Sequence, residues 1–152
     1  MLKLNLGSGS QPIEGYANLD GAQGDAIFPL PFSGVDEIRA SHVLEHFGQE
    51  ESIDVVFEWV RALKPGGVLK IAVPDFDDIV RRIRLGESWP YEAIIMGGQV
   101  DERDYHKSLW TCDKLRTVMA GAGLTDIQTW QSEINDCASY PFSLNLQGVK
   151  HG

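Results

Sequence analysis

Hydrophobic positions along this chain change their period in a regular order. Leu2, Leu4 and Leu6 alternate with Lys3 and Asn5 and run into Gly7, the pattern of a short strand ending in a tight glycine turn. Tyr16 to Asp20 is a second short apolar run that ends in a carboxylate. Glu37 to Val43 is a third, with Ser41 and His42 at its end. From Gln49 to Lys64 the spacing switches to three and four. Ile53, Val56, Phe57, Val60 and Leu63 recur on one helical face, and Glu50 and Glu51 stand at the start, where the helix dipole favours negative charge. Lys64-Pro65-Gly66-Gly67 stops that helix, and Val68 to Val73 reads as a buried strand closed by Pro74. A further helix is predicted from about Asp75 to Arg84. Another is capped by Thr111, carries Leu115, Val118, Met119 and Ala122 on one face, and ends at Gly121 and Gly123. Leu124 to Trp130 and Phe142 to Val149 complete the set as strands. The stretch from Gly86 to Trp110 has no clean period and is expected to be an irregular, functional loop.

Strands alternating with helices predict an α/β fold, a Rossmann-like and mainly parallel sheet with covering helices and right-handed crossovers. The last two strands are expected to add an antiparallel edge. In such sheets ligands sit at the carboxyl ends of the strands, which directs attention to Gly7, Asp20, Ser41, His42 and Asp75.

Composition narrows the function classes. The 152 residues suit one domain spanning 1–152, with 43% hydrophobic and 23% charged residues, close to globular averages. No run approaches the ~20 apolar residues of a membrane span. The start, MLKLNLG, lacks the basic, apolar and small-residue regions of an export signal, so a cytoplasmic location is expected. Cys112 and Cys137 are too few for a disulfide framework and are not spaced as a metal or redox pair. A net charge of −9 repels phosphate backbones and anionic membranes, so no nucleic-acid partner is expected. The one basic cluster, Arg81, Arg82 and Arg84, shares its helix with Asp75, Asp77 and Asp78 and reads as a solvated face. A homo-oligomer is compatible with these features.

The glycine turn Gly7-Ser8-Gly9 invites a nucleotide reading, but Pro12 occupies the place of the third small residue of a dinucleotide fingerprint. Too few residues separate Gly9 from the next strand for the helix whose N-terminus holds a pyrophosphate. A phosphate-free cofactor fits better, one needing close backbone approach at the turn and a carboxylate for ribose hydroxyls. LNLGSGS, NLD, GDAIFPLPF, ASHVLEHF, EWVRALKPGGVLKIAVPDF and AGAGL, in that order, resemble the class I S-adenosylmethionine (SAM)-dependent methyltransferases, most closely a compact branch related to the type 11 group. The resemblance covers nearly the whole chain. It implies a reduced class I fold with SAM as cofactor and methyl transfer to a small-molecule or sugar-type acceptor.

The resemblance sets Gly7, Ser8 and Gly9 against the amino-acid part of the cofactor and Asp20 on the ribose, with Asp25 as an alternative. Asp25 and Ala26 fall beside adenine, and Ser41 and His42 along the cleft floor. His106, on the long loop, and Asp75 are the candidates for proton removal. A SAM-binding module without turnover is the alternative reading. A third is a zinc hydrolase: His42-Val43-Leu44-Glu45-His46 matches H-x-x-E-H, which on a helix would place both histidines on one side of a zinc ion. Here the motif joins a strand end to a helix start, so no metal is expected on His42 and His46.

Overall fold

The computed structural model describes residues 1–152. Six strands form one sheet: β1 (Lys3–Leu6), β2 (Ala17–Leu19), β3 (Val35–Ser41), β4 (Leu63–Pro74), β5 (Leu124–Thr129) and β6 (Ser143–Lys150). Their spatial order is β2-β1-β3-β4-β6-β5. The first four run parallel, and β6 lies antiparallel to both β4 and β5. The expected closing pair therefore forms the antiparallel end of the sheet, with β6 one place inside and β5 outermost. The helices are α1 (Gln49–Ala62), α2 (Phe76–Arg84), α3 (Tyr91–Met96) and α4 (Cys112–Gly121). None is long and apolar enough to cross a membrane.

Side-chain alternation gives the sheet two different faces. Leu4, Leu6, Ile38, Ala40, Leu69, Ile71 and Leu146 stand on one of them, directly paired across β1, β3, β4 and β6. They merge with Val55, Val56 and Trp59 of α1 and Leu115 and Met119 of α4 into one core. Trp59, fully buried, also donates its indole N–H to the Ile27 carbonyl at 3.0 Å and so fixes the Pro-rich segment against α1. The opposite face carries the paired row Asn18, Asn5, Arg39, Lys70 and Gln147. No helix covers it. The segment after β5 lies there instead: Trp130 donates its indole N–H to the Ile71 carbonyl at 3.1 Å and takes the cations of Arg39 and Lys70 over its ring. The chain between β1 and β2 is too short to supply a second helical layer, so a buried polar network takes its place.

Three local features depart from the sequence reading. Lys64 to Gly67 do not separate helix from strand: α1 passes into β4 at Leu63, which pairs with Val35 before Val68 pairs with Glu37, so KPGG is an irregularity within the strand. A Cβ on Gly67 would lie 2.9 Å from the carbonyl oxygens of Lys64 and Val35, which explains a glycine there. The 86–110 stretch is not wholly irregular, since it contains α3 and a single 3-10 turn at Glu102–Asp104. Finally, β1 begins at Lys3, leaving Leu2 outside the strand with its N–H donated to Asp36.

Candidate active site

The parallel strands β1, β2 and β3 end together, and two cavities open there. The larger, ≈ 840 Å³, includes Gly7, Asp20, Asp25, Ala26 and His42 in its wall. The smaller, ≈ 230 Å³, lies on the polar side of the sheet and includes Ser8, Gly9 and Ser41. Gly7 borders both. All eight residues considered for the cofactor thus gather at the strand ends, divided between two adjoining spaces.

The glycine turn is set by backbone conformation. Gly7 and Gly9 have φ of 67° and 51°, in the left-handed region that side chains with a Cβ rarely adopt. Ser8 N–H donates to the Leu19 carbonyl at 3.0 Å, tying the turn to the end of β2. Beside it, Asp20 caps the 3-10 turn Gly21–Gln23 by accepting from Ala22 N–H at 3.0 Å, while its own N–H donates to Asp25 Oδ2 at 2.8 Å. Each carboxylate keeps a second oxygen outside these bonds.

His42 turns the chain out of β3 with φ of 54°, a strained conformation for a residue with a Cβ. Its N–H donates to the Ala72 carbonyl at 2.8 Å, and its Nε2 donates to Ser143 Oγ at 2.8 Å, whose own hydrogen goes to Asn145 Oδ1. Residues Leu44–His46 then form one 3-10 turn, not the start of α1. The H-x-x-E-H motif is therefore not on a helix, and His42 is engaged with β6.

The far wall of the larger cavity comes from the 100–107 segment. Arg103 reaches across and donates to the Ala22 carbonyl at 3.4 Å. Six carboxylates line the space (Asp20, Asp25, Glu51, Asp101, Glu102 and Asp104) against two cations, Arg103 and Lys107. A cleft of this charge favours a cationic ligand and disfavours a phosphate.

Neither candidate for proton removal lies in the cleft wall. Asp75 is half-buried and caps α2, accepting from Asp78 N–H at 3.3 Å; burial, chiefly, raises its pKa above the ordinary carboxylate value. His106 borders a ≈ 10 Å³ cavity with Ile94 and Ile95 and donates from Nδ1 to the Ile94 carbonyl at 2.9 Å. Burial, above all, pushes it below the ordinary imidazole value. Its ring stands edge-on to that of His46, with centroids 4.8 Å apart, and His46 does line the cleft.

Sequence reasoning passed over Arg39 and Asp136, and took Glu45 only as the middle of the H-x-x-E-H motif. Arg39, 2% exposed, lines the smaller cavity with Asp136. Its guanidinium donates to Asp136 at 2.6 Å, Ser132 at 2.8 Å and Glu133 at 3.2 Å. A charge set between Ile38 and Ala40 in mid-strand was the available signal. Glu45 is 1% exposed, and neither carboxylate oxygen has a hydrogen-bond partner. His42 Nδ1 stands 3.3 Å from Oε1 but outside hydrogen-bonding geometry.

No protein-family model matches the chain, and no curated protein matches it in sequence. Solved structures do match in fold. A SAM-dependent methyltransferase from Thermotoga maritima aligns over 98% of this chain and 82% of its own, with TM-score 0.64 and 13% identity. One chain of the complex between the Haloferax volcanii Trm112 methyltransferase activator and a protein described as a methyltransferase aligns over 99% and 83%, with TM-score 0.63 and 19% identity. Human N-acetylserotonin methyltransferase, solved with SAM, aligns over 99% of this chain and 40% of its own, with TM-score 0.61 and 12% identity. At such identities the likeness is one of fold: the chain has a reduced form of the class I methyltransferase fold.

Proposed function

We propose that this protein is a SAM-dependent methyltransferase acting on a small-molecule or sugar-type acceptor. The observation that carries this reading is the acidic cleft at the carboxyl ends of β1, β2 and β3, in a fold shared with SAM-dependent methyltransferases. SAM carries a sulfonium and an ammonium and no phosphate, so it suits six carboxylates where a dinucleotide would be repelled. In this arrangement Asp20 and Asp25 stand at the ribose and adenine end with Ala26. Gly7, Ser8 and Gly9 allow the amino-acid part to approach the backbone, and Ser41 and His42 form the floor. The acceptor enters from the side of His46 and Lys107, with His106 behind them.

Methyl transfer in this reading is an in-line displacement. An acceptor nucleophile attacks the sulfonium methyl, and positioning supplies much of the rate. No covalent intermediate on the protein is needed. Calorimetry with S-adenosylhomocysteine tests the reading, and one molecule should bind per chain. Asp20→Ala removes the partner of the ribose hydroxyls, which costs about 1–3 kcal/mol, or roughly 5- to 150-fold in affinity. An absence of heat with S-adenosylhomocysteine at millimolar concentration, together with binding of NAD, would refute it. Release of S-adenosylhomocysteine from SAM with a panel of hydroxyl and amine acceptors then identifies the acceptor class.

A further inference from the structure

We infer that Glu45, His46 and His106 form a binding site for a first-row divalent transition-metal ion at the acceptor end of the cleft. One donor atom from each residue lies within 4.8 Å of the other two. The three come from two distant parts of the chain: Glu45 and His46 from the 3-10 turn after β3, His106 from the segment before α4.

Three independent features make this a built site. The first is Glu45, a carboxylate with both oxygens buried, no hydrogen bond on either, and only the His42 ring, 3.3 Å from Oε1, close beside it. Such a group is costly to hold unless a cation meets it. The second is the tautomer of the two imidazoles. His46 donates from Nδ1 to the Tyr105 carbonyl at 3.2 Å and His106 from Nδ1 to the Ile94 carbonyl at 2.9 Å. Both Nε2 atoms are thereby left as lone-pair donors, the outer-shell arrangement that metal-binding histidines use. The third is that the backbone locks the two segments together. The N–H groups of Lys107 and Ser108 both donate to the Glu45 carbonyl, at 2.7 and 3.3 Å, and His106 N–H donates to the Met96 carbonyl at 3.0 Å.

Donors around a tetrahedral ion at ~2.1 Å stand about 3.4 Å apart, so the three side chains need to draw in by roughly 1.5 Å or less, which rotamer adjustment supplies. Two imidazoles and one carboxylate suit zinc and its first-row neighbours, and leave at least one coordination position open. His46 lines the cleft, which sets the ion at its wall. This differs from the sequence expectation of no metal, which was argued from the placement of His42 and His46. The fold sends His42 to Ser143 and replaces it with His106.

An ion here selects acceptors with an oxygen donor, a consequence that rests on the methyl-transfer reading. A coordinated hydroxyl has a lowered pKa and loses its proton to water. Its oxygen then forms the O–C bond to the methyl as the C–S bond breaks and that electron pair returns to sulfur. The products are the methyl ether, S-adenosylhomocysteine and one released proton.

The site is tested on the full chain without cofactor. Protein stripped by a chelator and titrated with Zn²⁺ or Co²⁺ should bind one ion per chain with micromolar affinity or better, and melt at a higher temperature when loaded. His46→Ala and His106→Gln should each weaken binding about 100-fold or more, whereas His151→Ala, at the exposed chain end, should not. X-ray absorption of zinc-loaded wild-type protein gives a readout that needs no variant, and should show two imidazole nitrogens at about 2.0 Å. No saturable binding below about 100 μM, unchanged binding in both variants, or a shell without imidazole would each overturn the assignment. Calorimetry with S-adenosylhomocysteine on the same metal-free protein reports the cofactor reading separately, so either can fail alone.

Discussion

Replacing Gly7 by alanine perturbs the fold and the cleft at the strand ends at one atom. At φ of 67° the backbone is in the left-handed region, which costs an ordinary residue ~1–2 kcal/mol. The added Cβ would also lie 2.5 Å from Val43 Cγ2, so Val43, itself in the cleft wall, must move. Overpacking of this kind costs about 1–3 kcal/mol. Together the two effects predict a loss of roughly 2–5 kcal/mol. With an unfolding entropy near 2.1 cal/mol/K per residue, that lowers Tm by about 6–16 °C. The two parts separate in a double-mutant cycle. Val43→Ala removes the atom that collides and should recover the steric ~1–3 kcal/mol in the double variant, leaving the φ cost in place. Urea melts of the four proteins measure the coupling, and S-adenosylhomocysteine titrations show whether binding returns with it. Additivity within about 0.5 kcal/mol, or a Gly7→Ala protein as stable as wild type, would refute the steric argument.

Arg39→Ala should cost about 3–5 kcal/mol, because it strands the Asp136 carboxylate at a buried site; thermal melts should show Tm lower by roughly 9–16 °C. The same network sets the acid limb of stability. Burial alone would raise Asp136 and Glu37, but the Arg39 guanidinium and Ser132 hydroxyl for the former, and the Tyr16 hydroxyl and Lys70 for the latter, hold both below their ordinary carboxylate values of 3.8 and 4.5. Groups depressed in the folded state stabilise fully above the unfolded value, and that stability is lost as pH falls through the folded one. Melts between pH 7 and 3 should therefore fall steeply below about pH 4, and less steeply in Asp136→Asn, whose slope matching wild type would contradict the assignment.

Much of the site was legible because its pieces are local. A glycine turn directly after an alternating strand, and a carboxylate directly after the next, predict their own neighbourhood, since both strand ends fall on one edge once the strands pair in parallel. Thr111 and Asp75 were readable as helix starts for the same reason, and both cap as their position suggests. The six-residue α3 was not, because one and a half turns show no period and bury no residue. The buried guanidinium of Arg39 was also hidden, since its partners Ser132, Glu133 and Asp136 belong to a segment with no periodicity of its own.

By itself the sequence determined the order of the strands and longer helices, the parallel sheet they imply and the glycine turn and carboxylates gathered at its strand ends, all of which follow from hydrophobic period and from residues near one another in the chain. Tertiary structure decided the opposite wall of the cleft. His42 and His46 share a motif but not a direction, because a left-handed residue and a single 3-10 turn separate them, while His46 and His106 share a ring contact that no spacing foretells. Periodicity records which face of an element is buried. It carries no information on which distant segment covers that face, and here that segment supplies the imidazole beside Glu45.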